Sequence, residues 1–309
     1  MLFRSIDFNN GRLEGNIPEH IFSLTNLHTM DFSVNKMSST ISASIANLSQ
    51  LHVLKINNNF FSGSIPSSVT DLRHLQVFHV QDNLFSGSIP SVLSSTLNSF
   101  RISSNNFTGN LWTMIPKWPE IQIFDISSTR MFGTIPTEIR NATNLKVIEF
   151  FSTDVTGSLP SEIGYLTNLQ LFIATNAHLT GTIPTELALC TELSSLALSQ
   201  NVLDSTTIPT FLGNLFKLEF LSLTELRLMG TIPTELGSLL HLTYLELFDN
   251  LLTGTIPTEL AALDPSFLMS AYFQRNPYLR GNLPPSFCVL NLVVDCKMGC
   301  NKCETCLCV

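Results

Sequence analysis

Apolar residues recur along this chain in one fixed order, with a spaced pair, a short alternation, a polar break and a last apolar residue before proline. Leu51, Leu54, Ile56 and Asn59, followed by Phe61, Gly63, Ile65 and Pro66, show the pattern. The alternation through Leu54 and Ile56 predicts a short strand with one buried face. The later positions, such as Ile232, Leu236, Leu239 and Leu242, are spaced three or four apart and predict a helical or 3-10 turn with one edge inward. Ile/Leu-Pro recurs with Pro at 18, 66, 90, 116, 136, 160, 184, 209, 233, 257 and 284, and Ile41-Ser42 fills the vacant slot. The usual step is 24 residues, with small deviations around Pro116, before Pro209 and before Pro284. A period of this length marks stacked units that cannot bury their apolar sides alone. Equivalent strands one period apart should pair in register, giving a parallel sheet with neighbours about 4.8 Å apart.

Other repeated residues have structural readings. Asn35, Asn59, Asn83, Asn105, Asn201, Asn250 and Asn276 close the strand motif, where a buried amide can bond loop carbonyls and N–H groups of its own and the adjacent coil. Gly11, Thr129, Thr153, Ala177 and Leu226 stand in the equivalent slots elsewhere. A hydroxyl can replace part of the amide's bonding, whereas Ala and Leu cannot. Gly at 15, 63, 87, 109, 133, 157, 181, 230, 254 and 281 marks backbone conformations or close approaches that a side chain would obstruct. Pro is expected at an early helical position, where its missing N–H has no partner to lose.

The unit LTYLELFDNLLTGTIPTELAAL, Leu242 to Leu263, resembles the plant-specific class of leucine-rich repeats, and the likeness extends from about residue 3 to 285. The resemblance implies an α/β solenoid, a right-handed superhelix with a concave parallel β-sheet and short helical or 3-10 turns on the convex side. About twelve repeats would fill residues 1–285, with a cysteine-rich cap over 286–309. Relatives include ectodomains of receptor-like kinases and secreted inhibitors of cell-wall-degrading enzymes. The phrase GTIPTE, at Gly133, Gly181, Gly230 and Gly254, is closer to the expanded repeat families of diatoms. No N-terminal capping domain precedes Phe3, Ile6 and Phe8, which already occupy strand positions, so an N-terminally incomplete product is expected. Kinase motifs are absent from the sequence.

Composition narrows the function. Hydrophobic residues make up 44% and charged residues 13% of 309, enough for a continuous core. A formal charge of −8 without a Lys/Arg cluster argues against nucleic acid as partner. No apolar run approaches the roughly 18 residues of a membrane span, and MLFRSIDFNN lacks the apolar region of a secretory signal. Membrane anchorage would require a longer form.

Cys288, Cys296, Cys300, Cys303, Cys306 and Cys308 fit a disulfide-stapled cap and an oxidising compartment; four thiolates from Cys300 to Cys308 on zinc are the rival reading. Cys190 takes a Leu slot and is expected to be a free core thiol. Asn47, Asn106 and Asn141 begin N-glycosylation sequons. The seven histidines fall in different repeats without a catalytic setting, and neither catalysis nor a cofactor is expected. Aligned threonines around the prolines are accounted for by repeat duplication and good turn chemistry.

The favoured function is therefore non-enzymatic recognition of a protein or peptide on the concave sheet, outside the cell or at its surface. An ectodomain fragment of a membrane receptor, or a binder of cell-wall polysaccharides or their enzymes, are the alternatives. The central outward strand position is polar in the first six repeats, at Asp7, Asp31, Lys55, His79, Arg101 and Asp125. Later outward positions collect Val147, Glu149, Phe151, Leu171, Ile173, Phe220, Tyr244, Glu246, Phe248 and Tyr272. Strand alternation does not require these to be apolar, so they are the expected ligand-binding residues. Glu149, Glu225, Glu246 and Asp249 are expected to border them and to favour a partner with basic residues.

Overall fold

The computed structural model describes residues 3–91, 93–204, 207–263, 268 and 270–281, with the backbone alone of 291–294 and 307–308. The chain divides into two compact units, Met1–Thr156 and Gly157–Val309.

The first unit stacks seven coils. Their three-residue strands, Ser5–Asp7, Thr29–Asp31, Val53–Lys55, Val77–His79, Ser99–Arg101, Ile123–Asp125 and Val147–Glu149, pair in parallel and in register. Three residues suffice because each strand needs only one inward side chain. In coils two to seven that residue is Met30, Leu54, Phe78, Phe100, Phe124 or Ile148, each at most 1% exposed. A second parallel ladder, from Glu14–Gly15 to Asp154–Val155, runs through the segment that ends in glycine. Phe61, Phe85 and Phe107 stack behind it with centroids 6.1 and 5.9 Å apart. Trp112 and Trp118, each 1% exposed, fill the core of the coil around Pro116. There the 3-10 turn Ile115–Lys117 takes the proline inside it, which accounts for the irregular spacing.

The second unit has main-sheet strands Leu171–Ile173, Ser195–Ala197, Phe220–Ser222, Tyr244–Glu246 and Ser270–Tyr272. Backbone strands Asn291–Val294 and Leu307–Cys308 continue the same parallel pairing. Five 3-10 turns close the coils: Ser161–Tyr165, Thr185–Leu189, Thr210–Asn214, Thr234–Ser238 and Thr258–Ala262. They pack tightly. A Cβ on Gly213 would lie 2.4 Å from the Glu235 carbonyl oxygen of the next coil, so only glycine fits. Cys190 is fully buried, its Sγ donating to the Ile163 carbonyl at 3.3 Å, and burial pushes its pKa up to about 12.

All the helical turns among the described residues are 3-10, and most begin just after proline rather than on it. Pro66, for example, has ψ 142°, and its carbonyl accepts from Val69 N at 3.1 Å. Proline is thus the cap, fixing the exit from the extended segment. All ten glycines expected to need special backbone conformations have positive φ, between 72° and 133°.

The asparagines join one coil to the next. Asn59 Oδ1 accepts from Met37 N of the preceding coil at 2.9 Å. Its Nδ2 lies 2.9 Å from the Phe32 carbonyl across the junction, and 3.2 and 3.1 Å from those of Ile56 and Asn57 in its own bend. Among the described residues the Thr153 hydroxyl bonds only within its coil, to the Phe150 carbonyl at 2.7 Å. Ala177 and Leu226 offer no polar side chain. The following asparagine takes the backbone N–H of the slot residue in each case, in addition to its ordinary junction bond: Asn201 Oδ1 accepts from Ala177 N at 3.2 Å, and Asn250 Oδ1 from Leu226 N at 3.1 Å.

Replacing Asn59 by Ala leaves the buried Met37 N–H without its acceptor and removes the donated bonds, which should cost about 3 kcal/mol. Thr153→Ala, losing a bond inside one coil, should cost about 1 kcal/mol. Urea titration of both variants against the parent chain checks the order.

Candidate functional site

Parallel register lines up equivalent side chains on the outward face of each main sheet. In the first unit one row reads Asp7, Asp31, Lys55, His79, Arg101, Asp125, Glu149, charged or titratable on every strand. Several of its members have structural work. Asp31 Oδ1 accepts from Ser33 N at 3.0 Å and Asp125 Oδ1 from Ser127 N at 3.1 Å, so both carboxylates hold the bend after their strand. Asp125 also accepts from Ser103 Oγ at 2.7 Å. Lys55 Nζ lies 3.7 Å from Asp31.

His79 contacts Ser99 Oγ through Nε2 at 2.7 Å. Burial, and then the positive charges of Arg101 and Lys55, lower its pKa to about 4 against the opposing pull of Asp31. The imidazole is therefore neutral at physiological pH. Glu149 is shifted upward by burial and by Asp125, with Arg101 opposing. Val147 and Glu149 flank the inward Ile148 on the seventh strand, and Phe151 follows two positions beyond Glu149, half-buried like them.

In the second unit, Leu171, Ser195, Phe220, Tyr244 and Ser270 form one outward row and Ile173, Ala197, Ser222, Glu246 and Tyr272 the next. Phe248 lies beyond Glu246. Leu171 and Ile173 thus share a strand, whereas the strand Ser195–Ala197, with its small side chains, separates them from Phe220, Tyr244, Glu246, Phe248 and Tyr272, which come together. The aromatic rings are half-buried rather than fully exposed, because one ring shelters the next. Phe220 and Tyr244 are 6.2 Å apart at 55°, and Phe248 meets Tyr272 edge-on at 6.5 Å. What they offer a ligand is a shelf of ring edges.

The border of this shelf is mixed in charge, not simply acidic. Asp249 is paired with Arg275 at 3.2 Å, Glu225 accepts from Gln200 Nε2 at 2.7 Å, and Glu246 accepts from Ser222 Oγ at 2.7 Å. Ser222 in turn meets Ser199 at 2.7 Å. Glu225, Arg227, Asp249 and Arg275 line one 420 Å³ depression. Gln200, Glu225, Asp249 and Arg275 occupy the same positive-φ slot in successive coils, with φ 53–57°. That periodicity was the signal in the sequence that could have revealed the pairing.

Asn47, Asn106 and Asn141 are all exposed. The first and third end 3-10 turns, and Asn106 opens a strand of the second ladder. Cys288, Cys296, Cys300, Cys303 and Cys306 lie outside the described residues, and Cys308 is described in its backbone alone. No helix among the described residues is long and apolar enough to cross a membrane.

The leucine-rich-repeat family model matches residues 50–72 and 241–263. No curated protein matches the sequence. Among solved structures, the plant peptide hormone receptor RGFR1 in complex with RGF2 is 30% identical with a TM-score of 0.84, over 94% of this chain and 46% of that one. A TDR receptor is 32% identical with a TM-score of 0.84, over 92% and 49%. The ectodomain of the Arabidopsis receptor kinase HAESA, bound to an extended IDA peptide hormone, is 27% identical with a TM-score of 0.75, over 97% and 51%. The chain therefore spans about half the length of each of these solved chains. The matching repeats, the parallel coils with asparagine junctions and the receptor neighbours together show a leucine-rich-repeat solenoid that is similar to those of plant receptor ectodomains.

Proposed function

We propose that the chain is a non-catalytic recognition module, working outside the cell, that binds a peptide or protein segment on the outward face of the second unit's main sheet. The observation that carries this reading is the shelf formed by Phe220, Tyr244, Phe248 and Tyr272 on three strands, at positions where the fold itself requires nothing apolar. Leu171 and Ile173 extend the apolar face toward the start of this unit, so five strands at about 4.8 Å spacing offer a contact roughly 19 Å long. Val147, Glu149 and Phe151 give the first unit a smaller patch of the same character. An extended segment with apolar or aromatic side chains fits such a shelf, since ring edges and aromatic anchors dominate interface energetics. Because Asp249 and Arg275 neutralise each other, the ligand's charge matters less than its apolar anchors.

Two of the similar receptors were solved with peptide hormones bound, which supports a peptide as ligand and a receptor ectodomain as the larger protein. In that setting the chain is a portion of a longer molecule and the membrane anchor and any kinase belong to the remainder. A binder of cell-wall polysaccharides is less well supported, because the outward rows of the second unit present close-packed aromatic edges rather than isolated rings ranked along a groove.

Selection of peptides from a random display library against the folded chain should yield sequences rich in aromatic or aliphatic residues. Tyr244→Ala with Phe248→Ala should weaken the selected peptides at least about thirtyfold, the effect of losing roughly 2 kcal/mol of anchor contact. Lys55→Ala with His79→Ala should leave binding within about twofold, well under 1 kcal/mol. Thermal melting of both variants separates lost contact from lost fold. Unchanged binding in the aromatic variant together with lost binding in the control would move the site to the first unit.

His79 gives a pH prediction. Its folded pKa is about 4 against 6.5 unfolded, so between these values the unfolded chain binds the extra proton and stability falls as pH drops. His79→Gln should flatten that part of a stability profile measured by urea titration between pH 7 and pH 4.

A further inference from the structure

Two consecutive asparagines, Asn105 and Asn106, meet opposite fates. Asn105 is buried and spends its amide on the coil junction, accepting from Phe85 N at 2.9 Å and donating to the Val80 carbonyl at 3.0 Å. Asn106 opens the strand Asn106–Gly109, where its backbone belongs to the ladder, and its side chain is exposed and makes no hydrogen bond among the described residues. Thr108, two residues on, is exposed as well.

The surroundings of Asn106 set it apart from the other two sequons. Because Phe61, Phe85 and Phe107 are buried and stack at 6.1 and 5.9 Å, the residues just before them form an outward row one coil apart. That row reads Glu14, Lys36, Phe60, Leu84, Asn106, Arg130 and Asp154 along the second ladder. It is charged at both ends, where Lys36 pairs with Glu14 at 3.2 Å. It turns apolar only on the two coils before Asn106, where Phe60 and Leu84 are each 54% exposed. Neighbouring large apolar side chains this exposed are covered in most proteins by something else. Register sets Asn106 beside Ser86 and Leu84 beside Ser62, so the path from the Asn106 amide to Leu84 and Phe60 crosses only small side chains.

We infer that Asn106 is an N-glycosylation site whose first sugars lie back over Leu84 and Phe60. The amide nitrogen of Asn106 attacks C1 of the terminal N-acetylhexosamine of a polyprenyl-diphosphate-linked oligosaccharide. The N–C1 bond forms, the C1–O bond breaks, the diphosphate leaves with the bonding electrons, and the amide proton passes to the transferase's base. A pyranose ring has one face of C–H groups, and that face meets the leucine side chain and the phenyl ring while the hydroxyls stay in water.

This inference rests on the extracellular reading, because the transferase acts in the secretory pathway. The test is secretion of the chain behind a heterologous leader, followed by mass spectrometry of the peptide containing Asn106 before and after enzymatic deglycosylation. Occupancy at Asn106 is expected. Apolar-dye fluorescence should rise on deglycosylation, and in the Asn106→Gln and Thr108→Ala variants, with no such rise when Phe60→Ser and Leu84→Ser are also present. An unmodified Asn106 in secreted chains that carry sugar at Asn47 or Asn141 overturns the site and leaves the extracellular reading standing. Occupancy without any change in dye fluorescence overturns the packing, as does a protein partner that docks on Phe60 and Leu84 of the glycosylated chain. Native protein found in the cytosol with all three asparagines bare removes both.

Discussion

Everything in this fold hangs on the bond between one coil and the next, because no coil of about 24 residues can satisfy its own bend. The buried asparagine supplies that bond. Its oxygen takes an N–H from the coil before, and its nitrogen reaches carbonyls on both sides of the junction, as at Asn35, Asn59, Asn83 and Asn105. The short strands could not set the stacking alone. Three residues give few ladder hydrogen bonds, and it is the amides, with the stacked apolar columns, that hold each strand in register with its neighbour.

Register then decides the chemistry of the surface. Side chains that alternate outward are free of packing duty, yet they stand beside their equivalents in adjacent coils and are forced into contact. In the first unit this places charges of both signs side by side and presses His79 into a neutral state. In the second it places rings edge to edge. The two faces differ in character although the backbone beneath them is the same.

Much of this was legible in the residues. Period, parallel pairing, the inward column, the ten special glycines and the structural role of asparagine all follow from spacing, because each coil repeats a local rule. The free core thiol at Cys190 was legible too, since it stands in a leucine slot. Less was legible about side chains whose behaviour depends on a neighbour a full period away. Phe220 and Tyr272 read as exposed because alternation points them outward, and only the adjoining ring shows that each is partly sheltered. Asp249 read as a free acid because Arg275 lies 26 residues further on. Proline was placed one residue too deep in its turn, since sequence cannot distinguish the cap from the first helical residue.

The way the second unit is joined has a consequence for how such a gene can change. Where Asn201 or Asn250 reaches back to a coil that lacks its own asparagine, the junction depends on the later coil and tolerates a poor earlier one. Combined with the repeated phrase GTIPTE, this makes recombination between misaligned copies a mild event: loss or gain of one whole period regenerates a junction of the same kind on either side. The backbone survives while the order of outward residues is cut and rejoined. A lineage carrying this fold can therefore deal itself new combinations of surface rows by shuffling intact coils, without first passing through sequences that do not fold.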